Sequence, residues 1–117
     1  MKVFFDTNVL IAAFATRGLC ADLFAHVLLE HDLVVGEVVL TELRTTLRTK
    51  LKLPKKTIDE IEAQLREGLV VKLPASAVIA DVLVTGDAAV LKLGKRAPLP
   101  ILSPRGLWEM LRGPGPG

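Results

Sequence analysis

Hydrophobic residues along the chain occur in short unbroken runs, separated by longer stretches in which they recur every three or four positions. The runs are Val3-Phe4-Phe5, Leu33-Val34-Val35, Leu69-Val70-Val71, Val82-Leu83-Val84 and the shorter Pro100-Ile101-Leu102. The first four are bounded by polar residues or glycine, and each of the five predicts a short strand. Between the first two runs, Val9 to Phe14 predicts a short helix, with Gly18 as a break. Leu23, Phe24, Val27 and Leu28 then fall at helical spacing within residues 21–29. After the second run, Val39, Leu40, Leu43, Leu47 and Leu51 form an apolar stripe with Arg44, Arg48 and Lys50 off it. Pro54 ends that helix. Another opens at Lys56 or Thr57, turns Ile58, Ile61 and Leu65 inward and stops at Gly68.

The last third follows the same rhythm. Ala88 to Leu93 predicts one or two helical turns ended by Gly94. Ser103-Pro104 supplies an N-cap hydroxyl and a proline at the first helical position, so a final helix with Leu107, Trp108 and Leu111 buried is expected. Strands alternating with helices imply an α/β fold with a parallel sheet of four or five short strands. Residues 1–112 make one domain, and residues 113–117 a Gly/Pro tail that cannot continue the helix.

Composition narrows the function. Half of the 117 residues are hydrophobic, enough for a core without disulfides or a structural metal. Four Phe, one Trp and no Tyr argue against a stacking platform for single-stranded bases. Cys20 is the sole cysteine, which excludes an internal disulfide and a thiolate cluster. An acid at position 6 interrupts the N-terminus too early for a signal peptide, and no apolar run approaches the ~20 residues of a membrane span. A cytoplasmic, membrane-free protein is expected. The net charge of +2 is uninformative, but Arg44, Arg48, Lys50, Lys52, Lys55 and Lys56 share a stretch without an acid. That stretch is either a solvated helix end or a phosphate-contacting patch.

The candidate chemistry lies where strands end. Asp6 follows the first run and Asp87 the fourth, and in open parallel sheets ligands bind outside the strand carboxyl ends. If those two strands are neighbours, the carboxylates converge, which is reasonable mainly around a cation. Glu42 lies on the flank of an apolar helical stripe and is either an ordinary exposed glutamate or a third acid at the same edge. Asn8 and Thr85 are placed to orient Asp6, Asp87 or a bound water, and either residue also serves as a plain turn hydrogen-bonder. His26 and His31 lie away from the strand ends, and no phosphate-binding glycine loop is present. An aspartyl-phosphate mechanism is weakened because Asn8 stands where its second aspartate would be.

These residues resemble the PIN family. The segment from Val3 through Asp6-Thr7-Asn8 to Leu10 is similar to its opening signature, and Leu40-Thr41-Glu42-Leu43 to its second motif. Asp81-Val82-Leu83-Val84-Thr85-Gly86-Asp87 is similar to its later strand motif, and Pro100-Ile101-Leu102-Ser103-Pro104 to its closing strand and helix. The likeness runs to about Leu111 and is greatest to small bacterial toxin components of toxin–antitoxin pairs. It implies a three-layer α/β/α fold and a metal-dependent endoribonuclease using Mg²⁺ or Mn²⁺. In that reading Asp6, Glu42 and Asp87 are catalytic and metal-binding, Asn8 and Thr85 support them, and Arg44, Arg48 and Lys50 meet RNA phosphates. An antitoxin partner and a homodimer are implied as well. The alternative is a catalytically degenerate PIN-like module that binds RNA or a protein.

One departure shapes the expectation. The family usually carries a further acid on a helix between the third and fourth strands, whereas residues 73–81 alone join them here. Nine residues reach ~30 Å at most, and a parallel crossover normally takes about a dozen or more. Asp81, at the start of the fourth strand, lies ~20 Å from Asp87 along an extended chain and cannot substitute. The site is therefore expected to lack one ligand. Either elements exchange between chains, or the third segment leaves its usual place in the sheet.

Overall fold

The computed structural model describes residues 1–71, 80–92 and 99–112, without the side chains of Leu69 and Val71. The residues expected to join the third and fourth strands, the end of the short helix near Leu93 and the Gly/Pro tail lie outside these. The elements are β1 (Lys2–Phe5), α1 (Thr7–Ala15), α2 (Leu19–Glu30), β2 (Asp32–Gly36), α3 (Glu37–Thr49) and α4 (Lys55–Leu65). They continue as β3 (Leu69–Val71), β4 (Val82–Val84), α5 (Ala88–Leu91), β5 (Ile101–Leu102) and α6 (Pro104–Arg112). All five expected strands form one parallel sheet in the order β3-β2-β1-β4-β5.

The apolar run Val3-Phe4-Phe5 takes the centre because a central strand between two helical layers is apolar on both faces. Its register pairs Val3 with Leu33 and Val82, and Phe5 with Val84. Val3, Phe5, Leu33, Val35, Val82 and Val84 share one core cluster with Leu10, Leu23, Val27, Leu43, Leu47 and Leu107 from the helices. Phe4 and Val34 point the other way, as alternation requires, and are 4% and 0% exposed, so the second face is covered too. The α/β expectation is borne out.

Local details differ from the pattern. The first helix opens at Thr7 rather than Val9, because Asp6 caps it: its Oδ1 accepts from the Thr7 amide at 2.7 Å. The helix after Pro54 opens at once with Lys55. In α6 only Leu107 is fully buried, whereas Trp108 and Leu111 are half-buried at the edge of the core. Trp108 instead meets the His26 ring, 6.2 Å away, on α2.

The third segment keeps a place in the sheet, at the edge beside β2. Gly68 makes this possible, since a Cβ there would sit 2.7 Å from the Leu33 carbonyl oxygen. The chain from β3 to β4 must cross three strand positions, ~14 Å at ~4.8 Å each. Both strands join one sheet within a single chain. Asp81 sits at the amino edge, where its Oδ2 accepts from the Lys2 amide at 2.7 Å, a structural role at the far end of the strand from Asp87.

Among the described residues, no single helix is long and apolar enough to cross a membrane. Helices α1 and α2 reach such a length only together, are bent by 104° at their break, and contribute Leu10, Leu23 and Val27 to the core.

Candidate functional site

The strand order sets the position of the site. From β1 the chain builds outward through β2 to β3, then returns to the other side of β1 for β4 and β5. The order therefore reverses between β1 and β4, and the crevice outside their carboxyl ends is where such sheets bind ligands. Asp6 leaves β1 there, and Thr85, Gly86 and Asp87 leave β4 there. The Asp6 amide donates to the Val84 carbonyl at 2.9 Å, extending the ladder one residue past β1 and fixing the two strand ends together.

Thr85 joins the two aspartates. Its side chain is fully buried, its hydroxyl donates to Asp6 Oδ2 at 2.8 Å, and its oxygen accepts from the Asp87 amide at 3.0 Å. One hydroxyl thus separates the Asp6 carboxylate from the Asp87 backbone. Asp87 in turn caps α5, with Oδ1 accepting from the Ala89 amide at 2.8 Å. Both aspartates stand at helix N-termini, where the exposed N–H groups favour negative charge.

Glu42 reaches the same edge from α3. The Thr7 hydroxyl, on nearly buried Thr7, donates to Glu42 Oε2 at 3.3 Å. The result is a chain of contacts from Glu42 through Thr7 and Asp6 to Thr85 and Asp87. The Thr7 tie is the one sequence reasoning missed. Its signal was a hydroxyl directly after the first acid, at the first position of the helix.

Asn8 is exposed on the first turn of α1 and makes no side-chain hydrogen bond among the described residues, so it is not tied to Asp6. None of Asp6, Glu42 and Asp87 belongs to an ion pair among the described residues. Three carboxylates at one edge without a cationic partner favour a positive ligand. Their donor type suits a hard divalent cation, which takes oxygen ligands. Their spacing does not make a full protein cage: among the described residues no three or more His, Cys, Asp or Glu side chains gather closely enough to hold one metal ion. The arrangement matches a looser mode in which one or two carboxylates and several waters, or a substrate phosphate, share the ion.

The basic residues divide. Arg44 is held by Asp59 and Glu62 of α4, each at 2.9 Å, so its charge is already matched. These two acids keep its pKa raised, and Arg44 keeps the Asp59 carboxyl below its usual range. Arg66 extends the network, with Nε on Glu62 at 2.7 Å and its two NH groups on Glu37 at 2.9 and 3.1 Å. Arg48 and Lys50 are exposed and enter no ion pair among the described residues. A cavity of about 380 Å³ lined by Lys2, His31, Asp32 and Glu67 opens at the amino ends of the strands, the far end from Asp6.

No family model and no curated protein sequence matches the chain. Among solved structures, the fold is similar to a chain in the crystal structure of VapBC2 from Rickettsia felis bound to a DNA fragment from their promoter. The TM-score is 0.57 at 14% identity, over 88% of this chain and 98% of that one. At that identity the likeness establishes the fold.

Proposed function

We propose that the protein is a metal-dependent endoribonuclease that hydrolyses RNA phosphodiesters and acts as the toxin of a toxin–antitoxin pair. The observation that carries the reading is the chain of hydrogen bonds at the point where the strand order reverses, which links Asp6 to Glu42 through Thr7 and to Asp87 through Thr85, with no ion pair to any of the three acids among the described residues. The motif resemblance supports it, and so does a fold shared with a chain from the VapBC2 assembly on its promoter DNA. By analogy, this chain would take an antitoxin protein as partner.

A bound Mg²⁺ or Mn²⁺ would supply an activated water and charge stabilisation at the phosphate. The protein's part is to hold the carboxylates. Asp6 is fixed by the Thr7 amide on one oxygen and the Thr85 hydroxyl on the other. Each carboxylate oxygen offers two acceptor positions, so Asp6 retains capacity for a cation. Asp87 and Glu42 each have one oxygen engaged and present the other. Asn8, two residues past Asp6, would meet a bound water. Arg48 and Lys50 would neutralise the RNA backbone.

The absence of a three-acid group among the described residues favours a second reading, an RNA-binding module without catalysis. One assay separates them: a labelled single-stranded RNA incubated with and without Mg²⁺ or Mn²⁺, using wild type, Asp6→Asn and Asp87→Asn. The enzyme reading expects metal-dependent cleavage lost in both variants. Equal cleavage by all three would reject it, and binding without cleavage would select the second reading.

A further inference from the structure

A groove of about 410 Å³ runs between α3 and α4, apart from the carboxylates. Its lining carries three cations, Arg44, Arg48 and Lys55, and no acid, with half-buried Leu53 as its accessible apolar surface and Ile58 only 3% exposed. Arg44 is matched by Asp59 and Glu62, so it braces α4 against α3. Arg48 is exposed and unpaired among the described residues. Lys55 is 85% exposed and 3.6 Å from Asp59, a surface pair too weak to withhold its charge from a stronger anion. Lys52, exposed and next to Leu53 of the lining, lies in the turn between α3 and α4 and adopts φ 53°, a left-handed conformation that L side chains rarely take.

The path from the groove to the acids crosses α3. At 100° per residue, Glu42 lies on one flank of the helix, beside α1, while Arg44 and Arg48 lie on the other, beside α4. The exposed ridge between them is Thr41, Thr45 and Thr49. Each hydroxyl donates to the carbonyl four residues back, at 3.1, 3.1 and 2.8 Å, so the ridge is uncharged and its donors are directed inward. A polyanion crossing it meets no repulsion. Arg48 is ~9 Å from Glu42 along the axis at 1.5 Å per residue, a span that places it beyond the phosphate at the acids.

We propose that the α3–α4 groove is a nucleotide subsite for single-stranded RNA, with Arg48, Lys52 and Lys55 on its phosphates and Leu53 under a base or sugar. It rests on the ribonuclease reading for the identity of the polyanion. The strand would cross the threonine ridge from the acids to the groove. An apolar surface beside a cationic rim suits a nucleotide, which joins a flat apolar base to a phosphate, better than a purely acidic peptide.

The test is RNA binding in the Asp6→Asn background, which removes turnover, followed by anisotropy of a short labelled strand across a salt series. Each phosphate contact to a single strand contributes ~0.7 to the slope of log affinity against log salt. The combined change Arg48→Gln, Lys52→Gln and Lys55→Gln should lower that slope by ~2. Thr45→Glu, which puts a charge on the ridge, should weaken binding tenfold or more, whereas Arg17→Gln, past the end of α1, should change nothing. Unchanged slope and affinity in both the triple variant and Thr45→Glu would overturn the subsite. Equal competition by an acidic peptide of matched charge would also overturn it, by making the occupant a protein. Wild type cutting RNA with an unaltered triple-variant slope sinks the groove alone, and a lost slope without any cleavage sinks the nuclease alone.

Discussion

Replacing Thr85 by valine tests the join between the two strand ends. The hydroxyl is fully buried and makes two bonds, to Asp6 Oδ2 at 2.8 Å and from the Asp87 amide at 3.0 Å. A hydrogen bond to a charged group contributes ~1.5–3 kcal/mol, and an orphaned donor costs a further ~1–3 kcal/mol if water cannot reach it. Asp87 is exposed, so water takes up part of the second loss. Asp6 keeps the Thr7 amide. The extra methyl of valine returns about 0.8 kcal/mol if it fits. The net expectation is a loss of about 2 kcal/mol. For a chain of this size that is ~8 °C in melting temperature, at ~4 °C per kcal/mol. Thr85→Ser keeps the hydroxyl and should lose about half as much, the share of the missing methyl. The assay is thermal unfolding at neutral pH, with Mn²⁺ affinity measured alongside. As a positioning residue, Thr85 should cost ~10–100-fold in metal affinity when replaced by valine, with the serine variant rescuing it. A valine variant that melts with wild type, or a serine variant that falls as far as valine, would refute the reasoning.

Three further outcomes follow from the structure. Lys52→Gly should stabilise the protein by about 1 kcal/mol in a urea titration, since φ 53° costs a side chain ~1–2 kcal/mol that glycine avoids. Gly68→Ala should destabilise by ~1–3 kcal/mol by calorimetry, because the new methyl would lie 2.7 Å from a backbone oxygen. Arg66 first, then Arg44, holds the Glu62 carboxyl below its ordinary value of 4.5, against the opposing effect of burial. Its folded pKa is thus below its unfolded one, so the stabilisation is present above pH 4.5 and lost as pH falls through the folded value. Glu62→Gln should therefore cost about 1 kcal/mol or less at pH 7, with the gap to wild type closing in acid unfolding curves.

The strands were readable from runs such as Val3-Phe4-Phe5, because a strand buried on both faces leaves no polar position to confuse the pattern. The placement of Asp6 and Asp87 at one edge followed from the same runs, once β1 and β4 were taken as neighbours. Local sequence could not show which partner a charged side chain would meet. Arg44 looked free because it opens a stretch, residues 44–56, that holds no acid, yet α4 packs against α3 and brings Asp59 and Glu62 to it. The Thr7–Glu42 contact depends on the packing of α1 on α3 in the same way. The helix opening at Thr7 was missed because Asp6 serves both as site acid and as cap. Trp108 looked like core by its chemistry and is half-buried because α6 lies at the rim, against α2.

The most direct test is calorimetric titration of Mn²⁺ into wild type and Asp6→Asn. Asparagine can still cap α1, so the variant should fold while one carboxylate charge is removed. Wild type should give a saturable isotherm and the variant one at least tenfold weaker. Superimposable isotherms, whether both flat or both saturating alike, would contradict a cation held at the meeting point of β1 and β4.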